Sequence, residues 1–212
     1  MLDYFHASSE KLLIASLDHL ILTVVSLLLA LLLSSGLTLM LLRFPVLRTG
    51  TTYMLSLLYA VPSFALFALL LPFTGLGKVT AIVVLTLYAQ YILVRTFLTG
   101  FDKVDASVLE AARGMGMDFW QILVLIQLPL IKSSIFSGLR LAGLSIVAIA
   151  TIAATINAGG LGTILFDGLR TMSLVKLTWG ILLSVGLSLF LSFVISLVEI
   201  LFETPYSHKM SS

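Results

Sequence analysis

The sequence predicts an all-α, polytopic membrane helix bundle with about five transmembrane helices. Of its 212 residues, 59% are hydrophobic and 10% are charged, and the mean hydropathy is +1.16. Soluble domains average about a quarter charged residues. The apolar residues also fall in runs of about twenty, the length that an α-helix needs to cross a bilayer. We therefore expect residues 1–212 to form one transmembrane domain.

Composition also excludes several classes of function. The formal net charge of +2 is too small to indicate a nucleic-acid partner, and the absence of cysteine excludes disulfides and thiolate metal sites. The start of the chain lacks the basic residues of a cleavable signal peptide, so we expect the first span to be retained. An intramembrane enzyme would need paired acids or a catalytic histidine within a span, and the three histidines fall outside the span centres. We expect neither catalysis nor a metal or cofactor in this chain.

Five apolar runs predict the spans. The first covers about residues 20–42 and follows a mixed segment, residues 1–19, which we interpret as a helix lying on the membrane surface. His6 and His19 fall in that segment and are expected to be polar surface residues. The other predicted spans cover about residues 51–73, 79–98, 131–156 and 178–202.

Three of these spans carry unusual residues. Pro62 removes a backbone hydrogen bond near the middle of the second span, so it should kink the helix, and Ser63 can bind the freed carbonyl. That kink is either a packing shape or a moving part. Arg95, near the end of the third span, is expected to extend to the interface. The fourth span is rich in small residues, which predicts close packing between helices.

A polar segment separates the third and fourth spans. Asp105 is a candidate cap for a first short helix, and Gly114 and Gly116 can end that helix, since glycine accepts left-handed backbone. Asp118 with Gln121 resembles a capping box for a second short helix. Two short helices joined by a glycine hinge would make a compact knob for a partner to grip.

The residues that carry the pattern of this segment are Glu110, Ala111, Ala112, Arg113, Gly114, Gly116, Ile126, Leu128 and Pro129. Their spacing resembles the EAA loop of ABC-importer permeases, which docks on a cytoplasmic ATPase and passes ATP-driven motion to the membrane helices. The alternative is an ordinary amphipathic linker. We call residues 100–128 the coupling segment. The two alanines would keep its surface low, and Glu110 would offer a charge to the partner or pair with Arg113.

A wider resemblance covers residues 18–200. It is carried by 60–66, 75–77, 104–105, 110–117, 138–140, 150–154 and 158–162. These stretches resemble permeases that import osmoprotectants, quaternary amines such as glycine betaine, carnitine and choline. The sequence departs from that pattern at Asn157, where glycine is usual, and at Thr96, where asparagine is expected. A permease for an amino acid such as methionine is the alternative, because methionine-type permeases share the coupling loop and glycine run. A passive channel is the alternative from another class.

The resemblance implies a type I ABC importer permease fold. It implies a second permease subunit, identical or related, and a cytoplasmic ATPase dimer that holds the ATP and magnesium. An extracytoplasmic binding protein would deliver the substrate. The lipid bilayer completes the expected surroundings.

The candidate pathway or gate residues are Arg140, Pro62, Ser63, Asn157, Gly159 and Gly160. A charge at membrane depth is costly, so Arg140 should pair with Glu199, line the pathway as a gate, or extend to the inner interface. The glycine run lacks the flanking lysine and strand of a phosphate-binding loop, and a flexible outer turn is its alternative role. Tyr88, Tyr91 and Trp179 are either pathway residues or interfacial anchors.

The distribution of cations predicts the orientation. With the coupling segment inside, seven cations lie inside and four outside, as the positive-inside rule favours. This places the N-terminus outside and the C-terminus inside a bacterial cytoplasmic membrane. The inside set is Arg43, Arg48, Arg95, Lys103, Arg113, Lys132 and Lys209, and the outside set is Lys11, Lys78, Arg170 and Lys176.

Overall fold

The computed structural model describes residues 2–202, and these form helices joined by short connections, with no strand among them. The predicted all-α class is confirmed. In chain order the helices are α1 (Leu2–Arg43), α2 (Arg48–Ala60), α3 (Ser63–Thr74), α4 (Lys78–Asp102), α5 (Ala106–Gly114), α6 (Phe119–Ile122), α7 (Leu128–Ala150), α8 (Gly162–Arg170) and α9 (Leu174–Leu201). Two 3₁₀ turns, Pro45–Leu47 and Ile152–Ile156, precede α2 and follow α7, and a π turn, Leu123–Gln127, joins α6 to α7.

The described helices supply four or five membrane crossings. Four segments are long and apolar enough to span a bilayer, and α2 with α3 makes a fifth if the pair is counted as one span. The four are His6–Arg43, Lys78–Asp102, Phe119–Ala150 and Leu174–Leu201. The axes of α2 and α3 differ in direction by 98°. The prediction of about five spans is thus confirmed, but the second span is broken into two helices, a larger change of direction than the predicted kink.

α1 is one helix, so the prediction of a separate surface helix over residues 1–19 is wrong. The first half of α1 packs on protein: Leu12 and Ala15 are buried against Leu161 and Ile164 at the start of α8. These contacts keep this part of α1 in line with the span that follows.

Two charges in the first half of α1, Asp18 and Lys11, have partners. Asp18 accepts a hydrogen bond of 2.5 Å from Lys78 at the start of α4. Lys11 lies 3.5 Å from the carboxylate of Asp167 in α8. Paired in this way, the charges do not interrupt the helix.

α4 lies at the centre of the bundle and packs against α1, α2, α3 and α7. Its Val84, Leu85 and Leu93 are completely buried, and they share the main core with Leu22 of α1 and Ile146 of α7. Lipid tails are as apolar as these side chains, so close packing, with little help from exclusion of water, holds the core together.

α7 packs closely on both of its neighbours through small residues. A Cβ added to Gly138 would lie 3.1 Å from Thr96 of α4, and one added to Gly143 would lie 2.9 Å from Leu191 of α9. Glycine permits this approach, as in other membrane helix pairs. The prediction that the fourth span packs between helices is confirmed.

Candidate functional site

The coupling segment begins with a capped helix. The side chain of Asp105 accepts a hydrogen bond of 2.9 Å from the backbone N–H of Ser107, so α5 starts where the sequence predicts. This hydrogen bond holds the pKa of the Asp105 carboxyl below its ordinary value, because it favours the charged form. α5 ends at Gly114, and Gly116 takes a left-handed φ of 81° that turns the chain toward α6.

The second helix of the segment begins with the predicted capping box. The Asp118 carboxylate accepts the backbone N–H of Gln121 at 2.8 Å, and the Gln121 side chain accepts the backbone N–H of Asp118 at 2.9 Å. Two of the N–H groups that a helix start leaves free are thereby satisfied. The two-helix shape of the coupling segment follows from these local contacts.

Polar and apolar side chains are exposed together on this knob. Glu110 and Arg113 are exposed, and the structure forms no ion pair between them, so the predicted local pair is absent. Ala111 is exposed, but Ala112 is completely buried within the chain's own fold. The expectation that both alanines form a low docking surface is therefore wrong for Ala112. Beyond the hinge Trp120 is 61% exposed, and an exposed aromatic side chain of this size is typical of a surface that binds a partner.

A continuous rod leads from the coupling segment into the bundle. The stretch Phe119–Ala150 is helical throughout, because α6 passes through the π turn into α7. Pro129 lies in the first turn of α7, where its missing N–H and its ring would disturb a regular α-helix. The π turn just before it, which contains Ile126, supplies the extra residue that relieves this conflict. The fourth span was predicted to begin at about residue 131, and the structure instead joins α6 and α7 in one continuous helical segment.

Arg140 of α7 is paired with Glu199 of α9. One guanidinium nitrogen donates to the Glu199 carboxylate, and further contacts reach Ser137 at 3.2 Å and Ser196 at 3.5 Å. The side chains of Arg140 and Glu199 are 25% and 17% exposed, so the charges meet inside the helix packing. Of the predicted alternatives, the structure supplies the pairing, and it joins α7 to α9.

The break in the second span is stabilised from α4. Pro62 directly precedes α3, and the Tyr88 hydroxyl donates to the carbonyl of Val61. The carbonyl that Pro62 frees is that of Leu58, and it accepts the backbone N–H of Val61 at 3.2 Å. The prediction that Ser63 binds this carbonyl is therefore wrong. Tyr88 itself is 4% exposed, so in this structure it is a buried structural residue.

The glycine-rich loop at the other end of the bundle is held in place by His19. The imidazole is completely buried, so the expectation of a polar surface role is wrong for this residue. Its Nδ1 accepts the backbone N–H of Leu161 at 3.2 Å, and its Nε2 lies 3.1 Å from the carbonyl of Val147. The first contact requires a bare Nδ1, so Nε2 carries the hydrogen and the ring is neutral. One side chain of α1 thus ties the end of α7 to the start of α8.

Backbone geometry explains the residues of this loop. Asn157 has a left-handed φ of 63°, a conformation that asparagine accepts better than most residues and glycine accepts best. The usual glycine at this position of the osmoprotectant permease pattern therefore fits the same backbone. Gly159 and Gly160 have φ of 83° and 79°, and a Cβ on them would approach Asp18 and His19 at 3.0 Å and 2.9 Å. The loop is packed, which contradicts the alternative of a flexible turn.

Three cationic side chains surround the Asp167 carboxylate beside this loop. Its carboxylate accepts from Lys176 at 2.9 Å and from Arg170 at 3.2 Å, and Lys11 lies 3.5 Å away. The hydrogen bonds from Lys176 and Arg170 lower the pKa of the Asp167 carboxyl to about 2. The carboxylate therefore stays charged throughout the physiological range, and this end of the bundle keeps its ion pairs.

These elements define a multi-pass membrane protein with the two-helix coupling segment at one end and the packed glycine-rich loop at the other. Comparison with known proteins supports the assignment as a membrane protein. A family model described as binding-protein-dependent transport system inner membrane component matches residues 26–204. The chain therefore belongs to this family of transport permeases.

Individual relatives span most of the chain. The carnitine transport permease protein OpuCB of Listeria monocytogenes is 34% identical over 167 residues, which cover 79% of this chain and 77% of the relative. The glycine betaine/carnitine/choline transport system permease protein OpuCB of Bacillus subtilis is 27% identical over 199 residues, covering 94% and 92%. These relatives are transport permeases, a class distinct from enzymes.

The fold has a solved counterpart. An inward-facing structure of the MetNI methionine ABC transporter matches with a TM-score of 0.82 and covers 92% of this chain and 97% of the matched chain. The two sequences are 20% identical, so the match shows the fold. The predicted type I ABC importer permease fold is confirmed.

Proposed function

We propose that this chain is the membrane-spanning subunit of an ATP-driven importer for quaternary amines such as glycine betaine, carnitine or choline. The observation that carries the proposal is the coupling segment: an exposed two-helix knob joined without a break to a core helix of the bundle. A passive channel has no use for such a lever. An importer driven by a separate motor requires one.

The substrate class is supported by the relatives. The two OpuCB proteins are named for transport of carnitine, or of glycine betaine, carnitine and choline. The methionine transporter shares the fold, but at 20% identity this similarity does not support the same substrate for this chain. We therefore favour a quaternary amine over methionine.

The partners follow from the family. A binding-protein-dependent system needs an extracytoplasmic binding protein, and the lever needs a cytoplasmic ATPase dimer, which would hold the ATP and magnesium. A second permease subunit, identical or related, would complete the pathway. The coupling segment then faces the cytoplasm, with the N-terminus outside and the C-terminus inside a bacterial cytoplasmic membrane.

The lever mechanism follows from its contacts. Closure of an ATPase dimer would displace α5 and α6, and the helix Phe119–Ala150 would carry this displacement into the bundle. The Arg140–Glu199 pair would pass it from α7 to α9. In this mechanism the permease residues bind the motor and change the shape of the pathway, and the chemistry of ATP stays in the partner.

The test is reconstitution of the permease with its ATPase and binding protein, followed by uptake of labelled glycine betaine. We expect Glu110→Lys to lower both ATPase co-purification and uptake at least about tenfold, because it reverses an exposed charge of the knob. Glu10→Lys, on an equally exposed glutamate near the other end of the molecule, is the control and should change neither. Undiminished ATPase attachment in the Glu110 variant, or ATP-independent flux in the unaltered protein, would refute the proposal.

A further inference from the structure

One face of the bundle is polar at membrane depth. The outward sides of α1 and α9 expose mainly leucine and phenylalanine, as lipid requires. The face formed by α2, α4 and α7 instead carries two adjoining grooves of about 410 Å³ and about 370 Å³, which share Arg95 and Thr99. Hydroxyl groups such as those of Ser56 and Ser137 line them. Because charged and polar groups within a membrane face water or protein, this face is turned to water or to another subunit and away from lipid.

Arg95 lies within the membrane part of α4. It precedes the end of that helix, Asp102, by seven residues, or about 10 Å at 1.5 Å per residue. Its guanidinium donates to the hydroxyl of Tyr91 and lies 5.6 Å from the centre of the Tyr91 ring. Tyr91 is one helical turn farther from that end, so the side chain turns toward the membrane interior. The prediction that Arg95 extends to the interface is wrong.

Among the described residues, the charge of Arg95 has no acidic partner. Among residues 2–202, no carboxylate lies within ion-pair distance of its guanidinium, although the side chain is exposed to the groove. Arg48, in the same groove, is different: it binds the Asp102 carboxylate through both of its terminal nitrogens, one of them at 2.8 Å. The groove therefore offers one neutralised arginine and one that is available to an anion.

Aromatic rings lie beside the guanidinium of Arg95, which has no carboxylate partner among the described residues. Tyr53 of α2 is 63% exposed and lines the groove with Tyr91 of α4. Tyr59 packs on Tyr91 with ring centres 5.0 Å apart, which fixes the position of that ring. Tyrosine rings attract quaternary ammonium groups, and a guanidinium binds a carboxylate through two parallel hydrogen bonds. A volume of about 410 Å³ lies within the range of small-molecule sites.

We propose that the groove between α2 and α4 is a transit site for a zwitterionic quaternary amine, in which Arg95 binds the carboxylate and the rings of Tyr53 and Tyr91 face the ammonium group. This inference rests on the proposed import function and adds a selectivity to it. Glycine betaine and carnitine carry the carboxylate that Arg95 recognises. Choline carries a hydroxyl in its place, so it gains nothing from the free guanidinium.

The first test compares two substrates in one reconstituted transporter, with binding protein and ATPase unaltered. We expect Arg95→Gln to lower glycine betaine uptake at least about tenfold and choline uptake less than about threefold, since only the former loses a charge-assisted pair. Arg48→Gln, at the ion-paired arginine of the same groove, is the matched control and should affect both substrates by the same factor. An equal loss of both substrates in the Arg95 variant would overturn the inference.

The second test needs neither uptake nor a binding protein, and it also decides the matter if choline is not delivered. The chain contains no cysteine, so Ser56→Cys places a single thiol in the groove of the permease–ATPase complex. We expect saturating glycine betaine to slow maleimide labelling of this thiol about threefold or more, choline to slow it less, and Arg95→Gln to abolish the protection. Thr171→Cys, an exposed position outside both the groove and the coupling segment, is the control and should label at the same rate with and without substrate.

The same labelling distinguishes a substrate carboxylate from an anionic lipid headgroup. The complex is placed in phosphatidylcholine nanodiscs with or without phosphatidylglycerol. If phosphatidylglycerol slows the labelling and glycine betaine does not, the groove is a lipid site and the inference is overturned. If the unaltered transporter takes up no quaternary amine, the proposed function fails and the inference with it. If it takes up glycine betaine but the substrate does not protect Ser56→Cys, only the inference fails.

Discussion

At the scale of single residues, Arg140 shows how the bundle accommodates a charge inside the membrane. The guanidinium contacts Glu199, Ser137 and Ser196, so three side chains on two helices share its hydrogen bonds. Removing either charge leaves the other partly buried without a counter-ion, which costs more than the pair itself contributes. Replacing one member of the pair should therefore destabilise the protein more than replacing both.

We expect Arg140→Leu to lower the free energy of unfolding by about 1–3 kcal/mol, because the Glu199 carboxylate loses its charged donor. The double variant Arg140→Leu with Glu199→Leu should recover most of that loss. Thermal unfolding in detergent measures the stability, and glycine betaine uptake is measured on the same variants. We expect uptake to recover with stability, as it should for an anchor between α7 and α9. A double variant that regains stability and yet does not transport would assign Arg140 to the pathway as a gate.

Arg140 and His19 differ in how well their contacts could be predicted from the sequence. The Arg140–Glu199 pair was one of three predicted alternatives, because two opposite charges in apolar spans attract attention. His19 was missed because its partners are backbone groups of Val147 and Leu161, 128 and 142 residues away. No side-chain pattern in the sequence marks those two groups. The one feature of the sequence that could have indicated burial of His19 is its position directly before the apolar run that begins at Leu20.

At the scale of elements, the coupling segment was predictable because its determinants are local. Each cap joins residues two or three positions apart, from Asp105 to Ser107 and from Asp118 to Gln121. Its connection to the bundle was not predicted. The fourth span was predicted to start after Pro129, at about residue 131, whereas the π turn before Pro129 lets the helix continue through it.

Gly114 and Gly116 of the coupling segment allow a controlled test of the hinge backbone. A Cβ on either Gly114 or Gly116 would meet nothing within 4 Å, but only Gly116 has a positive φ, 81°. We expect Gly116→Ala to strain the hinge by about 1–2 kcal/mol and to reduce ATPase co-purification and uptake several-fold. Gly114→Ala, in the last turn of α5, should leave both unchanged. Equal behaviour of the two variants would show that the backbone of the hinge is unimportant for docking.

The continuity of α1, in contrast, depends on contacts with distant parts of the chain. The prediction of a separate surface helix came from the mixed pattern of residues 1–19, in which apolar side chains are mixed with polar groups, among them Asp3, Glu10, Lys11 and Asp18. Their separations of seven, one and seven residues place them on one side of a helix. A continuous helix in which neighbouring helices pair two of these charges was therefore compatible with the sequence. Only the neighbours, Lys78 and Asp167, could decide between the two.

At the scale of the whole molecule, α4 separates two differently built ends. It runs from Lys78 to Asp102, a length of about 36 Å at 1.5 Å per residue. The Asp18–Lys78 pair and the glycine-rich loop lie at one end, and Arg48, Asp102 and the coupling segment lie at the other. A hydrocarbon layer is about 30 Å thick, so these ends fall on opposite sides of the membrane.

The orientation itself remains a prediction, and it decides whether the lever can meet an ATPase. The seven-to-four count of cations includes Lys209, which lies outside the described residues, and Arg95, which points into the groove. Without these two the count is five to four, so charge alone favours the orientation only weakly. The argument that remains is mechanical: ATP is cytoplasmic, so a knob that docks on an ATPase must be cytoplasmic too.

Because the chain has no cysteine, single thiols report the orientation directly. We expect a membrane-impermeant maleimide to label Thr171→Cys, beside the Asp167 cluster, in intact cells. Ser107→Cys, at the start of α5, should be labelled only after the cells are opened, because it lies on the inner side. The unsubstituted chain gives no signal and is the control for background. Labelling of Ser107→Cys in intact cells would place the coupling segment outside, where no ATPase could reach it, and the lever mechanism would then be untenable.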